Sequence, residues 1–229
     1  MELPALDWQF FYGRAAWAIV LATLVTALLP AAWRRSRRPA GGVLLAAAAL
    51  MALPGEASPA YWLVLAFQWP SGILLGCCVL KLSSARPGAP AVTALPATLA
   101  AVIAAAGLVL YLDAFGLLSL GLYYWGFSPY AAPAVALLAA AGCALAAVFG
   151  RARPHALLAL GALAQYSILR LPTGNLWDAL LDPMLWGWAL VALGVKSVRW
   201  LALKARAARQ AAETEPHIAT ARAAGIERF

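Results

Sequence analysis

Long apolar runs alternate along the chain with short segments that are rich in arginine, proline or glycine. Most runs approach the roughly 20 residues that an α-helix needs to cross a bilayer core. The pattern predicts an all-α, polytopic bundle of seven transmembrane helices, at about residues 10–33, 40–54, 61–82, 92–112, 130–149, 155–170 and 183–203. Residues 1–204 are then the transmembrane domain, and residues 205–229 are a cytoplasmic tail.

The composition favours the same class of protein. Of the 229 residues, 64% are hydrophobic and only 11% are charged, which is more apolar surface than a soluble core of this length can bury. The net charge of +8 comes from short basic clusters beside the apolar runs. Such placement is typical of membrane topology, so we expect membrane lipids as partners and no nucleic acid.

The stretch at residues 114–127 is apolar and aromatic but shorter than a span. Asp113 precedes it, and Ser128 and Pro129 follow it. Its length favours a short interfacial or re-entrant helix. Counting it as a span would also place Arg151 and Arg153 outside, which argues for seven spans and against eight.

Charge distribution predicts the orientation of the bundle. With the N-terminus outside and the C-terminus cytoplasmic, all but two of the 17 basic residues lie inside, the exceptions being Arg14 and Arg170. This obeys the positive-inside rule of a bacterial inner (cytoplasmic) membrane. Because the arginine cluster at residues 34–38 follows the first apolar run, we expect that run to be a retained helix and not a cleaved signal peptide.

Two distant stretches have similar sequences. In each, a Leu-Pro turn leads to a tryptophan, Trp62 in one and Trp177 in the other, 115 positions apart (177 − 62). The same offset pairs Gly72 with Gly187 and Lys81 with Lys196. The pairs predict a parallel 3+1+3 repeat, in which two three-helix units flank one linking span.

This 3+1+3 arrangement resembles that of the SWEET and PQ-loop transporters, in which the substrate path lies between two three-helix halves. The Pro-Gln dipeptide of that family is absent, and the nearest sequence, Gln68-Trp-Pro70, has the reverse order. The resemblance covers architecture alone and implies a solute path between the halves.

One segment, residues 170–188, concentrates the chemistry of the chain, with Arg170, Asp178, Asp182 and three tryptophans. On one helix, acids four residues apart share a face and can bind a cation, sugar hydroxyls or a reacting proton. We expect Arg170 to pair with one acid and the other acid to face a ligand. The alternative is a wet helix end within an aromatic belt. The candidate ligand or partner site comprises Asp113, Tyr124, Trp125, Arg170, Trp177, Asp178, Asp182, Trp186 and Gln68.

The residues that usually hold metals or cofactors are sparse. Cys77, Cys78 and Cys143 lie in apolar runs without C-x-x-C spacing, and the histidines, His155 and His217, lie outside those runs. We therefore predict no metal site, no cofactor and no catalytic residue. An enzyme is less favoured than a non-enzymatic protein.

Three functions remain after these exclusions. The predicted spans contain no clear ionisable group near mid-membrane, which favours passage of a small neutral solute or a lipid-linked group between the halves. The alternative is a non-catalytic accessory or scaffold subunit of a larger envelope-assembly or export complex, or a homo-oligomer, because residues 46–49 and 139–147 are small enough for close helix packing. The third is an enzyme that uses Asp178 and Asp182 on a lipid-linked or sugar substrate.

Overall fold

The computed structural model describes residues 4–30, 37–84 and 92–223. Within these ranges the chain forms ten α-helices, a short 3-10 turn at Gly55–Ala57 and no β-strand. The helices are α1 (Leu6–Leu28), α2 (Arg37–Met51), α3 (Pro59–Phe67), α4 (Gly72–Ser84), α5 (Ala97–Ala114), α6 (Leu122–Trp125), α7 (Ala131–Val148), α8 (Arg153–Leu169), α9 (Leu176–Leu180) and α10 (Pro183–Ala223). The all-α prediction is confirmed.

Three of the described helices, α1, α5 and α7, are long and apolar enough to cross a membrane. Residues 39–51 of α2 and the whole of α4 are apolar but shorter. Large apolar side chains of α7 are strongly exposed, with Leu138 at 76% and Val148 at 80%. Such a surface is typical of helices that face lipid. The count of seven spans stays a prediction.

The segment at residues 114–127 contains no spanning helix. It holds the end of α5, a turn, and the four residues of α6, Leu122–Trp125. At 1.5 Å per residue, α6 is far too short to cross a bilayer core.

Two regions predicted as single helices are interrupted. α3 and α4 are separated at residues 68–71, because Pro70 has no N–H and disfavours helix at the residue before it. Ser71 then caps α4, its Oγ accepting a hydrogen bond from the N–H of Leu74 at 3.1 Å. Likewise α9 ends before Asp182, which caps α10 ahead of a proline at the first helical position, Pro183.

Side chains of α1 satisfy the backbone carbonyls exposed by these interruptions. The hydroxyl of Tyr12 donates to the carbonyl of Pro70 at 2.7 Å, and Nε1 of Trp17 donates to that of Gln68 at 3.2 Å. Nε2 of Gln9 donates to the carbonyl of Pro172, in the loop before α9, at 2.6 Å. Since lipid offers no donors, these bonds allow a broken helix to persist in a membrane.

The core has two main clusters. The larger one joins α1, α2, α4, α5 and α10 through side chains that include Trp17, Met51, Leu74, Ile103 and Leu185. The smaller one joins α7, α8 and α9. Each half of the chain therefore has two continuous helices followed by a broken one, but α4 packs on α1 and α8, whereas α10 packs mainly on α5. The 3+1+3 duplication stays a prediction.

Candidate functional site

The two helix interruptions meet at Asp182. Its Oδ2 accepts from the backbone N–H of Ser71 at 2.8 Å, and its Oδ1 accepts from that of Leu185 at 2.9 Å. Asp182 is only 4% exposed. The N-termini of α4 and α10 thus converge on one carboxylate. Burial raises the pKa of Asp182, and the N–H donors of the two helix N-termini lower it in part.

A cavity of about 220 Å³ lies beside this junction. Its walls come from the α3–α4 interruption, the C-terminal end of α5, the start of α6, and α9. The polar and aromatic lining residues central to the site are Gln68, Tyr111, Tyr123, Trp177, Asp178 and Asp182. Four of them, Gln68, Trp177, Asp178 and Asp182, belong to the set predicted from sequence. A cavity below the usual range of about 300–1,000 Å³ suits a ligand smaller than a drug.

Asp178 is the second carboxylate of the cavity. It accepts from Oγ1 of Thr173 at 2.6 Å and from the hydroxyl of Tyr123 at 3.2 Å. Burial raises the pKa of Asp178, the two hydroxyl donors lower it in part, and the nearby charge of Asp182 raises it further. Burial and the charge of Asp178 in turn raise the pKa of Tyr123, so this tyrosine remains a neutral donor.

Asp178 and Asp182 do not lie on one helix face. Asp178 belongs to α9, whereas Asp182 follows the end of α9 and caps α10. The single-helix interpretation of their spacing is wrong because the chain is extended at Leu181, with φ −142° and ψ 134°. Both acids nevertheless line the cavity.

Hydrogen bonds join α6 to α9 at one side of the cavity. Nε1 of Trp177 donates to the carbonyl of Leu122 at 2.8 Å, and Nδ2 of Asn175 donates to that of Tyr123 at 3.2 Å. The N–H of Leu176 donates to the carbonyl of Gly126 at 3.0 Å. A Cβ at Gly126 would collide with Asn175, so the close approach needs glycine. This pairing holds Tyr123 against Asp178.

Asp113 lies outside the cavity lining and shapes the loop that leads to it. It is buried and accepts three hydrogen bonds of 2.9 Å, from the N–H groups of Leu120, Gly121 and Tyr123. These donors occupy both carboxylate oxygens. Asp113 therefore positions the start of α6 and, with it, Tyr123.

Arg170 does not pair with either acid. Its guanidinium lies 5.1 Å from the centre of the Tyr166 ring, and among the described residues it forms no ion pair with Asp178 or Asp182. The predicted pairing is wrong for two reasons. Arg170 ends α8 in a left-handed conformation, with φ 56°, and both carboxylates already have uncharged donors.

The remaining predicted residues are placed apart from the cavity lining. Tyr124 and Trp125 are 73% and 52% exposed, as expected of residues at a membrane surface. Trp186 donates from Nε1 to the carbonyl of Ala104 at 3.0 Å and packs edge-on against Tyr111, with ring centres 5.2 Å apart. Trp186 thus fixes α10 to α5 and supports one wall indirectly.

Tyr111, like Tyr123, lines the cavity but is absent from the site predicted from sequence. Its hydroxyl oxygen is buried and has no hydrogen-bond partner within the described part of the chain. A tyrosine near the end of an apolar run usually indicates a membrane-surface position. Only the packing of α5 against α10 brings it to the cavity, and no local sequence feature reports that contact.

Among the described residues, no group of three or more His, Cys, Asp or Glu side chains is arranged to hold a metal ion. No protein family, curated protein or solved structure matches this chain. The fold and the site together define a membrane-type helical protein with a small acidic, aromatic cavity between interrupted helices.

Proposed function

We propose that this chain is a multi-pass inner-membrane protein that binds a small solute in the cavity and passes it across the membrane between its two halves. The meeting of two interrupted helices at Asp182 carries the proposal. Transporters commonly place substrate sites where helices are discontinuous, because the interruption supplies backbone groups that a continuous helix uses internally.

The backbone of Gln68 supports a binding role for the cavity. This residue has φ 61° and ψ −150°, a conformation that non-glycine residues rarely adopt, and it lines the cavity. Such strain costs roughly 1–3 kcal/mol and is concentrated at ligand sites and switch regions. The strained conformation of Gln68 lies beside the cavity, which favours a functional role for the α3–α4 interruption.

The solute need not be neutral. The expectation of a neutral solute rested on the lack of an ionisable group at membrane depth. Asp182 removes that basis, because it is buried and bonded to Ser71, within the predicted third span at residues 61–82.

The predicted topology places this cavity in the outer half of the membrane. Its walls include the first part of the third predicted span and the last part of the fourth, both near the outer surface when the N-terminus is outside. A 3+1+3 arrangement of seven spans would put the solute path between the two three-helix halves, beside the bond that joins Ser71 to Asp182.

Swelling of liposomes that contain the purified full-length chain tests the proposal. We would measure light scattering in isosmotic glycerol, ribose, glycine, choline thiocyanate and ethanolammonium thiocyanate, against protein-free liposomes. Thiocyanate crosses the bilayer by itself and balances the charge of an entering cation. At least one solute should enter faster with the protein present. Ala66→Trp, which fills the cavity from α3, should slow that entry.

The matched control is Ala141→Trp, an exposed position on α7 away from the cavity lining. This variant should retain the entry rate of the parent. Passage equal to the protein-free rate for every solute would contradict transport, and equal slowing by both variants would contradict the cavity as the path.

An accessory or scaffold subunit is the second candidate, favoured by one observation on α7. Gly142 is exposed and a Cβ there would meet no atom within 4 Å, beside the exposed small residues Ala141 and Ala144. Small residues allow close contact between helices of different chains in a membrane. A larger assembly isolated in mild detergent, with fixed stoichiometry and disrupted by Gly142→Leu, would support this function.

A further inference from the structure

The charge of the cavity is one-sided. Its described lining contains two acids, Asp178 and Asp182, and no Lys, Arg or His. The charge of Asp182 is offset by the N-termini of α4 and α10 through two backbone N–H groups. Asp178 receives only hydroxyl donors, from Thr173 and Tyr123, which carry no formal charge.

Within the described part of the chain, Asp178 therefore has no countercharge. Asp178 is partly buried, and a carboxylate removed from water is costly unless it is paired, protonated or bound to a cation. An anionic ligand would add a second negative charge to a partly desolvated site. A cationic ligand would supply what Arg170 does not, since the guanidinium of Arg170 lies over Tyr166.

Aromatic rings form much of the remaining lining. Phe67, Trp69, Tyr111, Tyr123 and Trp177 all border the cavity. The face of an aromatic ring attracts cations, most strongly where water is excluded. The hydroxyl oxygen of Tyr111, which has no partner among the described residues, can also accept an N–H bond.

Chemistry and size together indicate the kind of cation. Calcium takes about six to eight oxygen ligands, whereas the carboxylate oxygens of this cavity already accept protein hydrogen bonds. Aromatic walls suit an organic cation. The volume of about 220 Å³ limits it to a small one.

We infer that the cavity binds a small alkylammonium ion, with Asp178 as its countercharge and the aromatic side chains as its walls. This inference rests on the proposed function and specifies its substrate class. Asp182 joins the two interruptions and contributes to the negative potential, while Asp178 carries the recognition of charge.

Calorimetric titration of the full chain in lipid nanodiscs tests the inference with matched probes. Choline and 3,3-dimethylbutan-1-ol have nearly the same shape, but only choline is charged. Choline should bind at least about tenfold more tightly than the uncharged alcohol, because a desolvated charge pair contributes at least that factor to the affinity. Ethanolammonium, which adds N–H donors, should bind at least as well as choline, while sodium and potassium at equal ionic strength should not compete.

Asp178→Asn keeps the shape of the side chain and removes its charge, so it should weaken choline binding at least about tenfold. Glu56→Gln removes an exposed acid outside the cavity and should leave binding unchanged. If Asp178→Asn does not fold, the comparison of choline with its uncharged isostere on the parent protein still decides the inference.

Equal binding of choline and the isostere would overturn the inference while supporting a solute site, and so would unchanged choline affinity in Asp178→Asn. Failure of both cations to bind would also overturn it. Solute entry into liposomes that is specific to uncharged compounds would overturn the cationic class and leave the proposed transport function standing.

Discussion

Asp178 and Asp182 differ in what their carboxylates bind. Asp182 accepts two backbone N–H groups at the junction of α4 and α10, whereas Asp178 accepts two side-chain hydroxyls. The roles of the two acids cannot be distinguished from the sequence, since each lies near tryptophans in a turn-rich segment. Their roles separate only once the chain is seen to be extended between them at Leu181.

We expect Asp182→Ala to lower the free energy of unfolding by about 3 kcal/mol, because it leaves two buried N–H groups without an acceptor and each costs roughly 1–3 kcal/mol. Thermal or denaturant unfolding of the purified chain in detergent measures this change in unfolding free energy. Asp178→Asn is the matched variant and should lose much less stability, because its amide oxygen can still accept one of the two hydroxyl donors. Equal stability of Asp182→Ala and the parent would show that the junction does not hold the fold.

Arg170→Ala should lower the free energy of unfolding by about 1 kcal/mol or less. The guanidinium contributes a cation–π contact with Tyr166 and no ion pair with either acid, and such contacts are worth about 0.5–1 kcal/mol at accessible sites. The same unfolding assay measures the change. A loss comparable to that of Asp182→Ala would instead indicate that Arg170 neutralises a buried carboxylate.

Binding of choline should weaken as the pH falls, in a range above the ordinary pKa of 3.8 for aspartate. Burial raises the pKa of Asp178, the cation binds its ionised form, and protonation removes the countercharge. The other titratable groups facing Asp178 are Asp182, Tyr111 and Tyr123. Burial raises the pKa of Asp182 and its N–H donors lower it in part, while the raised pKa of Tyr123 keeps that tyrosine neutral.

Calorimetry of choline binding across the acidic and neutral range checks this dependence. Affinity should rise with pH through the raised pKa of Asp178 and then level off, whereas Asp178→Asn should bind weakly at every pH. Without choline, the unfolding free energy should fall as the pH rises from the unfolded-state pKa of Asp178 to its raised folded-state pKa. The reason is that over this interval the folded state binds more protons than the unfolded state. Affinity that does not change with pH would contradict the role of Asp178.

At the scale of helices, proline and capping residues mark several boundaries in the sequence. Ser58 with Pro59 starts α3, and Asp182 with Pro183 starts α10, as N-capping and the fixed φ of proline lead one to expect. The third predicted span, residues 61–82, is fully interrupted at residues 68–71. This difference from the prediction arises from long-range bonds, because Tyr12 and Trp17 of α1 supply donors that stabilise the separated ends.

Gly72→Ala tests the contact between α4 and α8. A Cβ at Gly72 would lie 2.7 Å from Cβ and 3.0 Å from Cα of Ala162, neither of which can rotate away. We expect a loss of about 1–3 kcal/mol of unfolding free energy from overpacking. Gly142→Ala, in α7, is the control, since its Cβ would meet nothing within 4 Å and alanine favours helix by up to about 1 kcal/mol. Equal stability of the two variants would mean that α4 and α8 are less closely packed.

At the scale of the whole molecule, hydrophobic pattern was sufficient for the class of fold but not for its tertiary arrangement. Apolar run lengths predicted helices, and α1, α5 and α7 have the length and hydropathy to cross a membrane. The partners of each helix follow from small-residue contacts and buried polar bonds between distant segments, such as that from Ser71 to Asp182. A helix of alanine and leucine is apolar on every face, so hydrophobic periodicity does not indicate which face contacts which neighbouring helix.

Orientation is the property of the whole molecule that charge alone predicts. An N-terminus outside leaves only Arg14 and Arg170, of 17 basic residues, on the outer side, and it places the C-terminal ends of α4 and α7 at the cytoplasmic side. In a background with Cys77, Cys78 and Cys143 replaced by alanine, a cysteine at Ser84 or Ala152 should therefore resist an impermeant maleimide in intact cells and react after permeabilisation. Glu56→Cys, in an exposed turn on the predicted outer side, should react before permeabilisation. Labelling of Ser84→Cys or Ala152→Cys in intact cells would show the opposite orientation, with the cavity beside Asp182 facing the cytoplasm.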